Sequence, residues 1–311
     1  MEVERLAKWK FILAFAAMSM ISLMLTACAA PQEAELPQVG ADVWGEATEN
    51  ETQIIKEEGS SNEGSLESEY TVTAGSEMYR GFVIDNVLHS ERTGDIHYHV
   101  YVPEDYDGSR PYSLFVTLPG YEALYFQGVA ENLKAEEYAF EAQKYRKEMI
   151  VAAPQLEDWG ETSAEQTIEL IDYFLANYNI DPQNVYANGY SGGGETMSLV
   201  LEERPELFAA YLHCSSRWDG DYEAVVEQKL PIYFAVGEND EYYGSRPTQE
   251  AYRTLYEQYQ AEGLSEDEID QILVLDIKPE SYFQNRGISS QHAGGLEFAH
   301  DESIMGWLFQ N

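Results

Sequence analysis

At 311 residues the chain is long enough for one large α/β domain or two small ones, and with 44% hydrophobic and 13% aromatic residues it can build a sizeable core. Eighteen Lys and Arg stand against 56 Asp and Glu, a net charge of −38; such a surface lacks the cations that a phosphate backbone demands, which argues against a nucleic-acid partner. Two Cys exclude a disulfide framework and a Cys-rich zinc site.

In chain order, Arg5, Lys8 and Lys10 precede the mainly apolar run Phe11 to Ala27, which ends in small residues. This is the layout of a secretory signal, too short to span a bilayer comfortably. Leu25-Thr26-Ala27-Cys28 directly after it resembles the lipobox of bacterial lipoproteins, and the resemblance implies cleavage after residue 27 and a lipid on Cys28. The protein is therefore expected outside the cytoplasm, anchored by that lipid on the extracytoplasmic face of the membrane. Cys214 is then left without a partner and reads as a small buried hydrophobe. From Pro31 to Glu69 there are eleven acidic residues, the single Lys56 and scattered Gly and Ser, so residues 28–75 read as an acidic flexible linker.

Beyond it, residues 76–311 alternate strand-like and helix-like stretches. The runs Arg80 to Val87, Ile96 to Val102, Tyr112 to Leu118, Met149 to Ala153, Asn184 to Ala187, Ala209 to Cys214, Pro231 to Val236 and Gln271 to Ile277 are apolar and of strand length. Segments such as Ser163 to Tyr178, with Ile168, Ile171, Phe174 and Leu175 at helical spacing, separate the later ones. This predicts one α/β domain with a mostly parallel, eight-stranded sheet and helices on both faces. The two earliest runs, joined through Thr93-Gly94, predict an antiparallel hairpin at one edge.

Gly189-Tyr190-Ser191-Gly192-Gly193 is a G-x-S-x-G between a strand and the start of a helix, the context of a nucleophile elbow. Ser191 needs a base to take its proton and an acid to orient that base. After an elbow of this kind the acid and then the His follow in chain order. The strand Pro231 to Val236 runs into Gly237-Glu238-Asn239-Asp240-Glu241, where Asp240 is the acid of choice and Glu238 and Glu241 are alternatives. His89, His97, His99 and His213 come too early. His292, in a Gly-rich loop, is the preferred base over the reserve His300, because a helix N-terminus at Asp301 disfavours an imidazolium. The oxyanion needs two main-chain donors. Gly192 supplies one and Tyr121, after Leu118-Pro119-Gly120, the other, with Pro119 in place of the usual His of an H-G pattern.

These features, with Tyr98-His99-Val100-Tyr101-Val102-Pro103-Glu104-Asp105-Tyr106, Ala153-Pro154-Gln155 and Trp307-Leu308-Phe309, make residues 76–311 resemble the α/β-hydrolase superfamily. Within it the chain is similar to polyhydroxybutyrate-depolymerase-like, feruloyl-esterase-like and prolyl-oligopeptidase-like proteins. The resemblance implies hydrolysis through an acyl-enzyme with no metal or organic cofactor and leaves the substrate open; a small-molecule or carbohydrate ester is the expected one. A peptide substrate is the alternative, disfavoured by the want of a propeller-like segment to gate it. A non-catalytic carbohydrate-binding surface protein is the further alternative, disfavoured because a binder has no need of a strained elbow. His97 and His99 share one strand face but have no evident third metal ligand. Trp159, Tyr121, Tyr125, Trp218, Tyr242 and Tyr243 flank the expected catalytic loops as candidate stacking rings.

Overall fold

The computed structural model describes residues 70–310, so the leader 1–27, Cys28 and the linker through residue 69 lie outside the described residues. The strands are β1 (Thr71–Thr73), β2 (Glu77–Tyr79), β3 (Phe82–Ser90), β4 (Gly94–Tyr101), β5 (Tyr112–Leu118), β6 (Met149–Pro154), β7 (Ile180–Tyr190), β8 (Ala210–Cys214), β9 (Ile232–Gly237) and β10 (Leu273–Lys278). They form one sheet in the order β1-β3-β4-β6-β5-β7-β8-β9-β10, with β2 also paired to β3. From β6 to β10 every neighbour is parallel, and from β1 to β6 every pairing is antiparallel.

All eight expected runs are strands, but the sheet has ten. The extra two, β1 and β2, are three residues each and almost wholly exposed, so no apolar alternation marks them in the sequence. β1 lies inside the stretch read as linker and pairs Thr71 with His89. The expected β3–β4 hairpin forms, yet it is not the edge: β1 flanks β3, and β4 continues antiparallel onto β6. Gln271 and Ile272 close a helix rather than open the last strand.

The helices are α1 (Glu131–Ala135), α2 (Tyr138–Glu141), α3 (Glu161–Asn177), α4 (Gly192–Glu203), α5 (Glu223–Gln228), α6 (Arg246–Ala261), α7 (Glu266–Ile272), α8 (Glu280–Gln284) and α9 (Glu302–Leu308). Strand alternation divides the core between the two faces. Leu114, Val116 and Leu118 of β5 bury against Ile168, Ile171 and Phe174 of α3, Met197 and Val200 of α4 and Leu255 of α6. Phe115 buries on the opposite face with Tyr138 and Ala139 of α2 and Ile304, Met305 and Leu308 of α9. Cys214 is fully buried on that second face, and burial pushes its thiol up to about 12.

β5 has β6 on one side and β7 on the other, so the chain reverses its direction of travel across the sheet there. The loops after β5 and β7 consequently lead to opposite faces, to α2 and α4. In open parallel sheets a crevice forms at such a switch point, beyond the strand C-termini.

Candidate active site

Ser191 sits between the last residue of β7 and the first of α4 with φ +52° and ψ −120°, a conformation that costs a non-glycine residue about 1–3 kcal/mol. Hydrogen bonds on its main chain fix it there, among them a longer one from the Glu195 N–H at 3.4 Å. Its N–H donates to the Cys214 carbonyl at 3.0 Å, and its own carbonyl accepts from Gly194 N–H at 2.9 Å and from Ser216 Oγ at 2.5 Å. The turn closes so tightly that a Cβ on Gly189 would stand 2.6 Å from the Gly193 carbonyl oxygen, and one on Gly193 2.3 Å from that of Leu118. The two glycines of the motif are thus required by close approach. Ser191 keeps 6% of its surface exposed.

The structure brings Ser191, His292 and Asp240 together. Ser191 Oγ lies 3.0 Å from His292 Nε2, and His292 Nδ1 lies 2.8 Å from Asp240 Oδ2. A carboxylate only accepts, so Nδ1 carries the imidazole proton and Nε2 is free to accept from the Ser191 hydroxyl. Asp240 is held in turn, because its Oδ1 accepts the N–H groups of Tyr242 and Tyr243, both at 2.9 Å. The imidazole neighbours the rings of Tyr190, at 5.7 Å, Tyr242, at 5.1 Å, and Tyr243, at 5.6 Å.

The alternatives fall elsewhere. His300 ends the 3-10 segment Ala293–His300, half-exposed, with Nδ1 3.3 Å from Glu141. Glu238 accepts the Glu280 N–H at 2.6 Å. Glu241 braces the histidine loop: it accepts the N–H groups of Gln291 and His292 at 3.0 and 2.9 Å and the Ser290 hydroxyl at 3.1 Å. Partial burial works against its charge, but those N–H groups outweigh it and hold the carboxyl below its usual range. His213 is buried in β8, with Nδ1 2.9 Å from the Tyr211 hydroxyl, and burial lowers it to about 4.

Tyr121 opens a 3-10 turn immediately after Gly120, and Gly192 is the first residue of α4. Among the described residues neither backbone N–H has a protein acceptor. Both therefore remain available to a ligand oxygen. A Cβ on Gly120 would lie 3.4 Å from Ser191 Cβ, which sets the Gly120–Tyr121 peptide beside the nucleophile position. Trp159 packs its indole edge on Gly192, where a Cβ would meet Nε1 at 2.0 Å, and its ring meets Tyr121 at 5.1 Å.

Of the other aromatic candidates, Tyr125 stacks on His97 at 3.7 Å and Trp218 on Tyr222 at 5.4 Å. His97 pairs with Asp85 at 2.9 Å, and His99 bonds to the Asp85 N–H and to Gln155. No group of three His, Cys, Asp or Glu suited to a metal occurs among the described residues. Gln155 also has a part that sequence reasoning did not assign. Its side chain donates to the Gly128 carbonyl at 2.6 Å and accepts the Ala130 N–H at 3.0 Å, tying down the loop after β5.

Residues 155–266 match the model of the prolyl oligopeptidase family. No curated protein matches the chain. Among solved structures, a thermostable esterase is 24% identical with a TM-score of 0.60, the alignment covering 74% of this chain and 63% of that one. Oligopeptidase B from Leishmania major is 13% identical with a TM-score of 0.46 over 78% of this chain and 37% of that one. Est1E from Butyrivibrio proteoclasticus is 13% identical with a TM-score of 0.46 over 70% and 94%. The chain thus spans less than two thirds of the length of the first two. The mostly parallel sheet flanked by helices, together with the likeness to the thermostable esterase, shows an α/β-hydrolase fold, and residues 155–266 carry the prolyl oligopeptidase family match.

Proposed function

We propose that the chain is a serine hydrolase acting on carboxylic esters of small acyl groups or carbohydrates. Ser191 Oγ attacks the ester carbonyl while His292 Nε2 takes its proton, and Asp240 holds the imidazole and stabilises the imidazolium. The Tyr121 and Gly192 N–H groups receive the developing oxyanion. His292 then protonates the leaving alcohol, and a water activated by the same imidazole releases the acid. The observation that carries this reading is the continuous Ser191–His292–Asp240 relay at 3.0 and 2.8 Å on a strained elbow. The small exposure of Ser191 favours short acyl groups, and the half-exposed rings of Tyr121 and Tyr242 offer stacking surface for a sugar or aryl alcohol. The purified protein is expected to hydrolyse p-nitrophenyl acetate and to acquire a fluorophosphonate on Ser191; absence of both refutes the proposal.

The family match over residues 155–266 favours a second reading, peptide hydrolysis by the same groups. Parallel turnover of matched ester and amide substrates separates the two. Export and a lipid on Cys28 belong to the proposal as well. Cys28→Ser is expected to release the protein from the membrane fraction, and a variant still sedimenting with membranes would contradict lipid anchoring.

A further inference from the structure

Behind the loop that follows β5 lies a carboxyl that the relay does not use. Glu136 caps the C-terminus of α1, is 6% exposed, and accepts the Gly120 N–H on Oε1 at 2.8 Å. On its other side Gly120 abuts the end of β7: a Cβ there would stand 2.9 Å from the Tyr190 ring and 3.4 Å from Ser191 Cβ. Gly120 is therefore clamped between the Glu136 carboxyl and the elbow. The next N–H along the chain, that of Tyr121, is one of the two proposed oxyanion donors.

The surroundings of this carboxyl are poor in charge. Its ionisable neighbours are Tyr138 of α2, Tyr190 at the end of β7 and Cys214 at the end of β8, each of which burial keeps in its neutral form. No cation pairs with Glu136 among the described residues. A cavity of about 10 Å³ lined by Glu136, Thr117, Asn132 and Pro119 adjoins it, room for one water and no more. Burial pushes the carboxyl up to about 8, with the Gly120 N–H pulling the other way. A buried carboxylate without a counter-charge is costly, so such a group keeps its proton.

We propose that Glu136 is a positioning residue for the oxyanion-binding loop and serves as the neutral acid, its carbonyl oxygen holding the Gly120 N–H. Loss of its proton places an uncompensated negative charge beside the one that forms on the substrate, and the site is switched down. The inference rests on the serine-hydrolase reading. Like charges in a poorly screened site slow the step by about tenfold.

The test is the pH dependence, from 6 to 10, of kcat/KM and of fluorophosphonate labelling for the wild type, Glu136→Gln and Glu136→Ala. The wild-type rates are expected to fall about tenfold with a midpoint near 8. Glu136→Gln keeps a carbonyl acceptor but cannot ionise, so its profile shows no decline at that midpoint. Glu136→Ala orphans the Gly120 N–H, and kcat falls about tenfold or more while KM moves less than about twofold. A Glu136→Gln profile that keeps the wild-type alkaline limb overturns the inference. A wild type that never labels overturns the serine-hydrolase reading instead. Should the variants fail to fold, the wild-type Gly120 amide resonance decides: it shifts with the same midpoint as the rate, and an amide unmoved from pH 6 to 10 is the contrary result.

Discussion

Ser191→Ala is expected to lower kcat by roughly 10⁴- to 10⁶-fold and to abolish the fluorophosphonate adduct, with KM little changed. In the proposed mechanism the hydroxyl is what the relay acts on, so its removal leaves His292 and Asp240 with no atom to activate, while the proposed main-chain donors would still bind the substrate. Stability should barely respond, because alanine at φ +52° keeps the backbone strain and loses only the 3.0 Å contact to Nε2. Ser191→Gly separates the two effects. It is equally inactive, but glycine accepts a positive φ without steric cost, so its thermal midpoint should lie above that of Ser191→Ala by the equivalent of about 1 kcal/mol. A Ser191→Ala protein that retains more than about a hundredth of the wild-type rate would remove the relay from the reaction.

His292→Ala should cost at least about 10⁴-fold in kcat, whereas His300→Ala should change it less than about threefold. The reason is placement: one imidazole bridges Ser191 and Asp240, and the other is half-exposed against Glu141. Surface pairs of that kind are worth about 0–1 kcal/mol, so even the stability of His300→Ala should be near that of the wild type. Asp240→Asn tests the third member without emptying its space. An amide can present its NH₂ to Nδ1, which turns the imidazole to the tautomer whose Nε2 carries the proton and cannot accept one from Ser191; a loss of about 10⁴-fold follows. Circular dichroism of each variant separates loss of chemistry from loss of fold. Equal losses for His292→Ala and His300→Ala with folding intact would contradict the observed relay as the working one.

The chain's legibility differed between its parts. The parallel strands could be read because each is buried on both faces and leaves a continuous apolar run, as β5 and β6 do. β1 and β2 could not, since they are exposed and owe their strand conformation to pairing with β3. Ser191 was evident from close-approach glycines that local sterics demand. Asp240 and His292 were reached through chain order and loop position, with Glu238, Glu241 and His300 left as alternatives. Glu136 carried no signal: in a chain of net charge −38 one more acid after a short helix stands out in no way, and only burial distinguishes it.

What the amino-acid order determined by itself is the set of locally encoded features: the alternation of strand and helix, and the tight corner at residue 191 with Gly192 directly after it. These depend on sterics and periodicity within a few residues. Which imidazole and which carboxylate meet Ser191 was decided only by tertiary structure. Gaps of 101 residues between Ser191 and His292 and 52 between His292 and Asp240 are closed by the sheet, and the distances at which side chains from distant loops meet are set by how those loops pack and brace one another. The Glu241 bonds to the His292 loop and the Glu136 bond to Gly120 are such braces, invisible until the chain is folded.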